Sequence, residues 1–195
     1  MNFGKWEVNI TSGMPQKIAT AVAGLNDRFG CEYEPIVYIG SQQVNGILHA
    51  VLVKQKVVLG EDQVNVNLVK FLETKDGVAE ISNESIIMGG SPLGGVRVDP
   101  KFGEDIPEEA GYALDKAFNG YVGSKVTAVA LLSMQVVNGV DYVFLAEVES
   151  LTKESSKAAF LVKVNSLEQK PGFVNILATK EDVADKGVLG YAFTW

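Results

Sequence analysis

Apolar and polar positions follow a helical period and then a strand period, and the whole sequence of patterns runs through the chain twice. Ile18, Val22, Leu25 and Phe29 fall at i, i+4, i+7 and i+11, one stripe of an amphipathic helix, while Asn26, Asp27 and Arg28 lie off it. Ala110, Leu114, Ala117 and Tyr121 form the second stripe. Pro15 opens the first helical pattern and Pro107 the second, 92 residues later. Asp105-x-x-Glu108 has capping-box spacing, and Glu109 adds negative charge where the helix dipole is positive. Gly30 and Gly120 to Gly123 then break the pattern.

Strand signals follow each helix. Ile36–Ile39 and Val126–Leu132 lead into Gln42-Gln43-Val44-Asn45-Gly46 and, 93 residues later, Gln135-Val136-Val137-Asn138-Gly139. Ile47–Val53 and Val140–Val148 lead out. Asn-Gly between apolar runs predicts a hairpin with a type I′ turn, in which both central residues take positive φ. Val64, Val66 and Leu68 alternate with Asn65 and Asn67 in a third strand, matched by Ala158–Val164. A second hairpin turns at Lys75-Asp76-Gly77 and at Gln169-Lys170-Pro171-Gly172, closing with strands at Val78–Ile81 and Phe173–Leu177. Trp6–Ile10 and Gly95–Val98 are short enough to add edge strands. Repeats of this length define the structural unit. The expectation is an α+β protein of two tandem domains, residues 1–90 and 91–195, each with one helix packed across a four- to five-stranded antiparallel sheet. The Gly- and Pro-rich stretch from Met88 to Gly95 reads as the linker.

Composition narrows the function classes. The net charge of −7 is spread over both halves, and an evenly acidic surface disfavours nucleic acid. The longest apolar runs are too short for a membrane helix. The single Cys31 leaves no intrachain disulfide, and Met1–Trp6 carries no apolar leader region, so a cytoplasmic protein is expected; a chain trimmed of a leader would read the same way. With one His and one Cys, a metal site would need oxygen ligands, and no such cluster stands out. No metal or other cofactor is expected. His49 matches Tyr142 across the repeat, and Cys31 falls near Gly123, so a catalytic thiol–imidazole pair has no second copy and no enzyme is expected. The glycine pairs at 89–90 and 94–95 lack the Gly-Lys-Ser/Thr of a phosphate loop.

A helix, then a strand, Gln-x-Val-x-Gly in a hairpin, and a second hairpin about thirty residues on resembles the cystatin superfamily, twice over and through nearly all of the chain. Without disulfides it looks closest to the stefins, the intracellular branch. Ser166-Leu167-Glu168-Gln169-Lys170-Pro171 is similar to the stefin second hairpin, and Gly111-Tyr112-Ala113-Leu114-Asp115 faintly resembles the plant-cystatin helix signature. Gly4 and Gly95 precede Pro15 and Pro107 at the spacing of the family's trunk glycine. The resemblance implies inhibition of papain-like cysteine proteases by a wedge of trunk, first hairpin and second hairpin. The residues carried over are Gly4 with Gln42, Gln43, Val44, Asn45 and Gly46, and Gly94 and Gly95 with Gln135, Val136, Val137, Asn138, Gly139 and Leu167. Both copies depart from the family in having Asn (Asn45, Asn138) where Ala is most common, and neither second hairpin carries a Pro-Trp pair. The alternative is a non-inhibitory protein-binding or assembly module, forming homo-oligomers by strand exchange.

Overall fold

Side-chain alternation over long stretches makes strands dominate this chain. A computed structural model describes residues 4–59, 63–77, 79–89, 95–151 and 156–177. The chain divides into two compact units, residues 1–98 and 99–195. The strand that begins at Val96 nevertheless hydrogen-bonds into the second sheet, so the structural seam precedes it.

Unit one contains β1 (Trp6–Thr11), α1 (Gln16–Ala23), β2 (Cys31–Val44), β3 (Gly46–Val57), β4 (Gln63–Glu73) and β5 (Ala79–Gly89). Its five strands lie in sequence order, every neighbour antiparallel. Unit two contains β6 (Val96–Phe102), α2 (Glu108–Ala117), β7 (Ser124–Val137), β8 (Gly139–Ser150), β9 (Lys157–Asn165) and β10 (Gly172–Asn175), in a five-stranded sheet of the same order. Both predicted edge pieces are therefore strands.

The expected α+β class, two cystatin-like domains each built as a helix across a sheet, is corrected. The described chain is mostly β: two antiparallel five-stranded sheets and two α-helices of eight and ten residues. Reading each apolar stripe as one continuous helix overcounted. α1 stops at Ala23, a 3₁₀ turn covers Gly24–Asp27, and Phe29 is 92 % exposed. α2 stops at Ala117, leaving Tyr121 exposed. The strands are correspondingly longer than expected, 14 residues in β2 and in β7. Asp105 lies in a 3₁₀ turn and Pro107 is the N-cap, with no side-chain capping bond, so the capping box does not form. The predicted linker also begins late, because Met88 and Gly89 complete β5 and Met88 is buried.

Each sheet carries a core on one face beneath its helix. In unit one Ile18, Val22 and Leu25 pack with Tyr33, Tyr38, Val51, Val53, Val69 and Phe71. Burying each of those helical side chains is worth about 1.5–3 kcal/mol against leaving it in water. In unit two Ala110, Ala113, Leu114 and Ala117 pack with Leu131, Tyr142, Phe144, Ala146, Val162 and Val164. Small alanines on α2 face larger residues on β8 and β9, so the two cores reach density by different partitions of volume. Asn65 and Asn67 share their face of β4 with Val69 and Phe71 and are buried, where Gln55 accepts from Asn65 and Glu84 from Asn67. Val66 and Leu68, on the other face, are buried as well, whereas Val64, Lys70 and Leu72 on that face are half-buried.

Candidate functional site

Antiparallel order brings the start of β1, the β2–β3 turn and the β4–β5 turn of unit one to the same end of the sheet. The β1 lead-in is tied there by two bonds: Gly4 N–H donates to the Gln43 carbonyl at 3.0 Å, and Gln42 Nε2 donates to the Gly4 carbonyl at 2.7 Å. Trp6 then pairs with Gln42 in register, and Lys70 Nζ sits 5.5 Å over the Trp6 ring. Trunk and first hairpin are thus one hydrogen-bonded piece.

The hairpin is tighter than its sequence predicts. Val44 pairs with Gly46, leaving Asn45 alone at the tip. Among the described residues only glycines have positive φ, so neither Asn45 nor Asn138 adopts the left-handed conformation and the type I′ turn is corrected. Gly46 alone takes it, at φ 131°, and Gln43 Nε2 braces the turn by donating to the Gly46 carbonyl at 2.9 Å. A Cβ on Gly46 would lie 2.5 Å from the Glu73 carbonyl oxygen. The glycine is needed because the first hairpin runs flush against the second. Gly77 closes that second turn, its N–H donating to the Thr74 carbonyl at 2.9 Å. Between the hairpins lies an open groove of about 410 Å³, lined by Gln43, Val44, Asn45, Gly46, Ile47, Glu73, Thr74 and Lys75.

Unit two meets the same requirement with other side chains. Val137 pairs with Gly139, whose φ is 92°, and Asn138 is the tip. A Cβ on Gly139 would fall 2.8 Å from Ser166 Oγ and 2.9 Å from Leu167 Cγ. Val140 N–H donates to Ser166 Oγ at 2.9 Å, and Asn165 bridges the hairpins by donating to the Asn138 carbonyl (3.2 Å) and to Asp141 (2.7 Å). Leu167 N–H donates back to Asn165 Oδ1 at 2.8 Å. This end exposes aliphatic surface: Val136, Val137 and Leu167 all face solvent. Gln135 pairs with Asp141 in register and is half-buried. Gly95 stands just before β6 with φ 67°, whereas Gly94 lies outside the described residues.

His49, on the helix face of β3, is buried; Tyr38 OH lies 2.9 Å from its Nδ1 and Glu73 Oε2 3.3 Å from its Nε2. Glu73 in turn accepts from Lys17 Nζ of α1 at 2.7 Å. Burial pushes the His49 imidazole below the ordinary histidine range, a shift that the Glu73 carboxylate only partly offsets. The Lys17 hydrogen bond holds the Glu73 carboxyl below its usual range. Burial raises the Tyr38 hydroxyl. The signal in the sequence was a lone histidine inside the apolar run Ile47–Val53, with a glutamate at the end of the next strand. Cys31 pairs with Val57 at the other end of β3 and contacts Gln55 Nε2 at 3.6 Å, so the structure does not bring it to His49. No group of metal-ligating side chains occurs among the described residues, and no helix there is long and apolar enough to cross a membrane. Comparison with protein-family models, with curated proteins and with solved structures finds no match to this chain.

Proposed function

We propose that the loop end of unit one, and by repetition that of unit two, seats in the active-site cleft of papain-like cysteine proteases and blocks it. The observation that carries this reading is continuity. Gly4 is bonded to Gln43, and Gly46 lies flush against Glu73, so trunk, first hairpin and second hairpin stand side by side along one edge. Such an edge is already ordered, and association then forfeits little conformational entropy. An extended trunk offers main-chain donors and acceptors to substrate subsites, and a glycine-bearing turn lets backbone approach closely. A nanomolar complex needs about 12 kcal/mol, within reach of a standard-sized interface. The target class comes from the resemblance of the two Gln-x-Val-Asn-Gly words to the cystatin loop. Unit one has the braced trunk, and unit two the more apolar tips, Val136, Val137 and Leu167.

The assembly reading draws on β5, an outermost strand of eleven residues with Ile81 and Ile86 exposed. Two irregularities break its pairing with β4, and Glu80 and Glu84 lie along it, features that discourage edge-to-edge pairing. It therefore stands second.

Titration of papain activity at enzyme concentrations below nanomolar tests the proposal. The wild-type chain is expected to inhibit, with a stoichiometry that counts active units. Asn45→Arg and Val136→Arg, both at exposed tips, together should weaken inhibition at least tenfold while the protein stays folded. Undiminished inhibition by the double variant, or none by the folded wild type across a panel of papain-like proteases, would refute the proposal.

A further inference from the structure

The hydrogen-bonded chain behind the unit one loop end spans the strands and helix that hold it. Tyr38 belongs to β2, His49 to β3, Glu73 to β4 and Lys17 to α1. Glu73 is also the residue whose carbonyl touches the first hairpin at Gly46, and it lines the groove between the hairpins. Ser41, paired with His49 in register, pairs on its other side with Glu7 of β1. The charged and titratable groups that act on this chain are Glu73 on β4, Lys17 on α1, Tyr38 on β2 and, through Tyr38, Glu7 on β1. Phe71 pairs with His49 from β4 and offers no charge. In unit two Tyr142 occupies the matching strand position and packs in the core without an ionisable nitrogen.

We propose that the Tyr38–His49–Glu73–Lys17 chain is a proton-operated brace: uptake of one proton by His49 loosens the unit one loop end, so that unit one lets go of its partner in acid while unit two does not. The neutral ring fits the observed partners. With the proton on Nε2, His49 donates to Glu73 and accepts at Nδ1 from the Tyr38 hydroxyl. A second proton, on Nδ1, removes that acceptor. The Tyr38 hydrogen must then turn away, and a cation must be held where burial disfavours it. An opened arrangement that lets the ring reach water takes the proton more readily, and opening separates β3 from the end of β4.

The sign follows from burial. The folded-state pKa of His49 lies below the unfolded value of about 6.5, so its contribution is intact above that value and is lost as pH falls toward the folded pKa. Glu73, held down by Lys17, acts in the same direction at lower pH. While one extra proton is bound by the opened form, its population rises at most about tenfold per pH unit.

The release from a partner rests on the protease-cleft reading, whereas the brace itself does not. His49 is the only histidine in the chain, so its imidazole signals can be followed by NMR in the full-length wild type without assignment of a second ring. The expected result is titration below the ordinary histidine range, with unit one amides such as those of Val51 and Phe71 losing protection, relative to their intrinsic exchange rates at each pH, below pH 6, and unit two amides such as Phe144 keeping theirs. His49→Gln keeps a donor and an acceptor but takes no proton, and it should remove the acid-dependent loss of protection near pH 6. Titration of the wild-type ring at or above the ordinary range overturns the brace, as does equal acid sensitivity in a folded His49→Gln. Binding to papain with its thiol blocked, measured from pH 7.5 to 5, adds the functional arm. Wild-type affinity at unit one should fall in acid, and His49→Gln affinity should hold. Binding that is pH-independent in both refutes the release. Absence of binding at every pH refutes the cleft reading, and the NMR arm still decides the brace.

Discussion

Replacing Gly139 by Ala, with Gly123→Ala as its partner experiment, isolates the contact between the two hairpins of unit two. The glycines have nearly the same φ, 92° and 96°, so an L side chain suffers similar strain about that bond at each, about 1–2 kcal/mol. Their surroundings differ. A Cβ on Gly123 meets nothing within 4 Å, whereas one on Gly139 comes within 2.8 Å of Ser166 Oγ, 2.9 Å of Leu167 Cγ and 3.0 Å of Asn165 Oδ1. Leu167 is exposed and can rotate away, but Ser166 can yield only by giving up the Val140 N–H. Losing that bond costs about 1 kcal/mol, so Gly139→Ala should cost roughly 2–3 kcal/mol in all against 1–2 for Gly123→Ala. Urea unfolding followed through NMR amide signals of Ala146 and Val162 reads unit two by itself, as a chain of two units requires. At the usual urea dependence of about 1–3 kcal/mol per molar, a difference of 1 kcal/mol separates the two midpoints by roughly 0.3–1 M. Coincident midpoints would refute the argument: Gly139 would then matter for backbone conformation alone, and the hairpins would not be in close contact.

Two further substitutions follow from the same geometry. Gly46→Ala drives a Cβ against the Glu73 carbonyl, a backbone atom that cannot rotate aside; it should cost more than Gly139→Ala, about 2–4 kcal/mol, in urea unfolding read from unit one amides. Glu84→Ala removes the acceptor for Asn67 Nδ2, which is 1 % exposed, and strands a buried amide; a loss of about 1–3 kcal/mol is expected, and Glu84→Gln should recover part of it.

The two tight turns at the loop ends were legible because their determinants are local. Gly at the third position after Gln43 and at the fourth after Gln135, between apolar runs, marks turns wherever the chain folds, and the β2–β3 and β7–β8 turns fall within the words that predicted them, whereas the β9–β10 connection already begins at Ser166, ahead of Gln169. The helix ends were illegible for the opposite reason. Phe29 and Tyr121 continue a helical stripe, but Gly24 to Asp27 tighten into a 3₁₀ turn and Phe118–Gly120 turn away, leaving both side chains off the core. That error inflated the helical share and produced the α+β assignment. The roles of Asn45 and Asn138 were likewise misread, since Asn-Gly favours type I′ turns only when the register lets both residues turn left-handed.

Sequence by itself determined the repeat, the strand-rich pattern and the tight turns, because side-chain period and backbone freedom are properties of neighbouring residues. Only the tertiary structure decided why the glycines at 46 and 139 are glycines, since the atoms they would strike, the Glu73 carbonyl and the Ser166 and Leu167 side chains, come from strands and turns about 27 residues away. It also decided that one buried histidine joins Tyr38, Glu73 and Lys17. Those residues lie as far apart as 56 positions in the chain, and no local periodicity carries information across that separation. Cross-strand register brings Tyr38, His49 and Glu73 together, and helix packing adds Lys17.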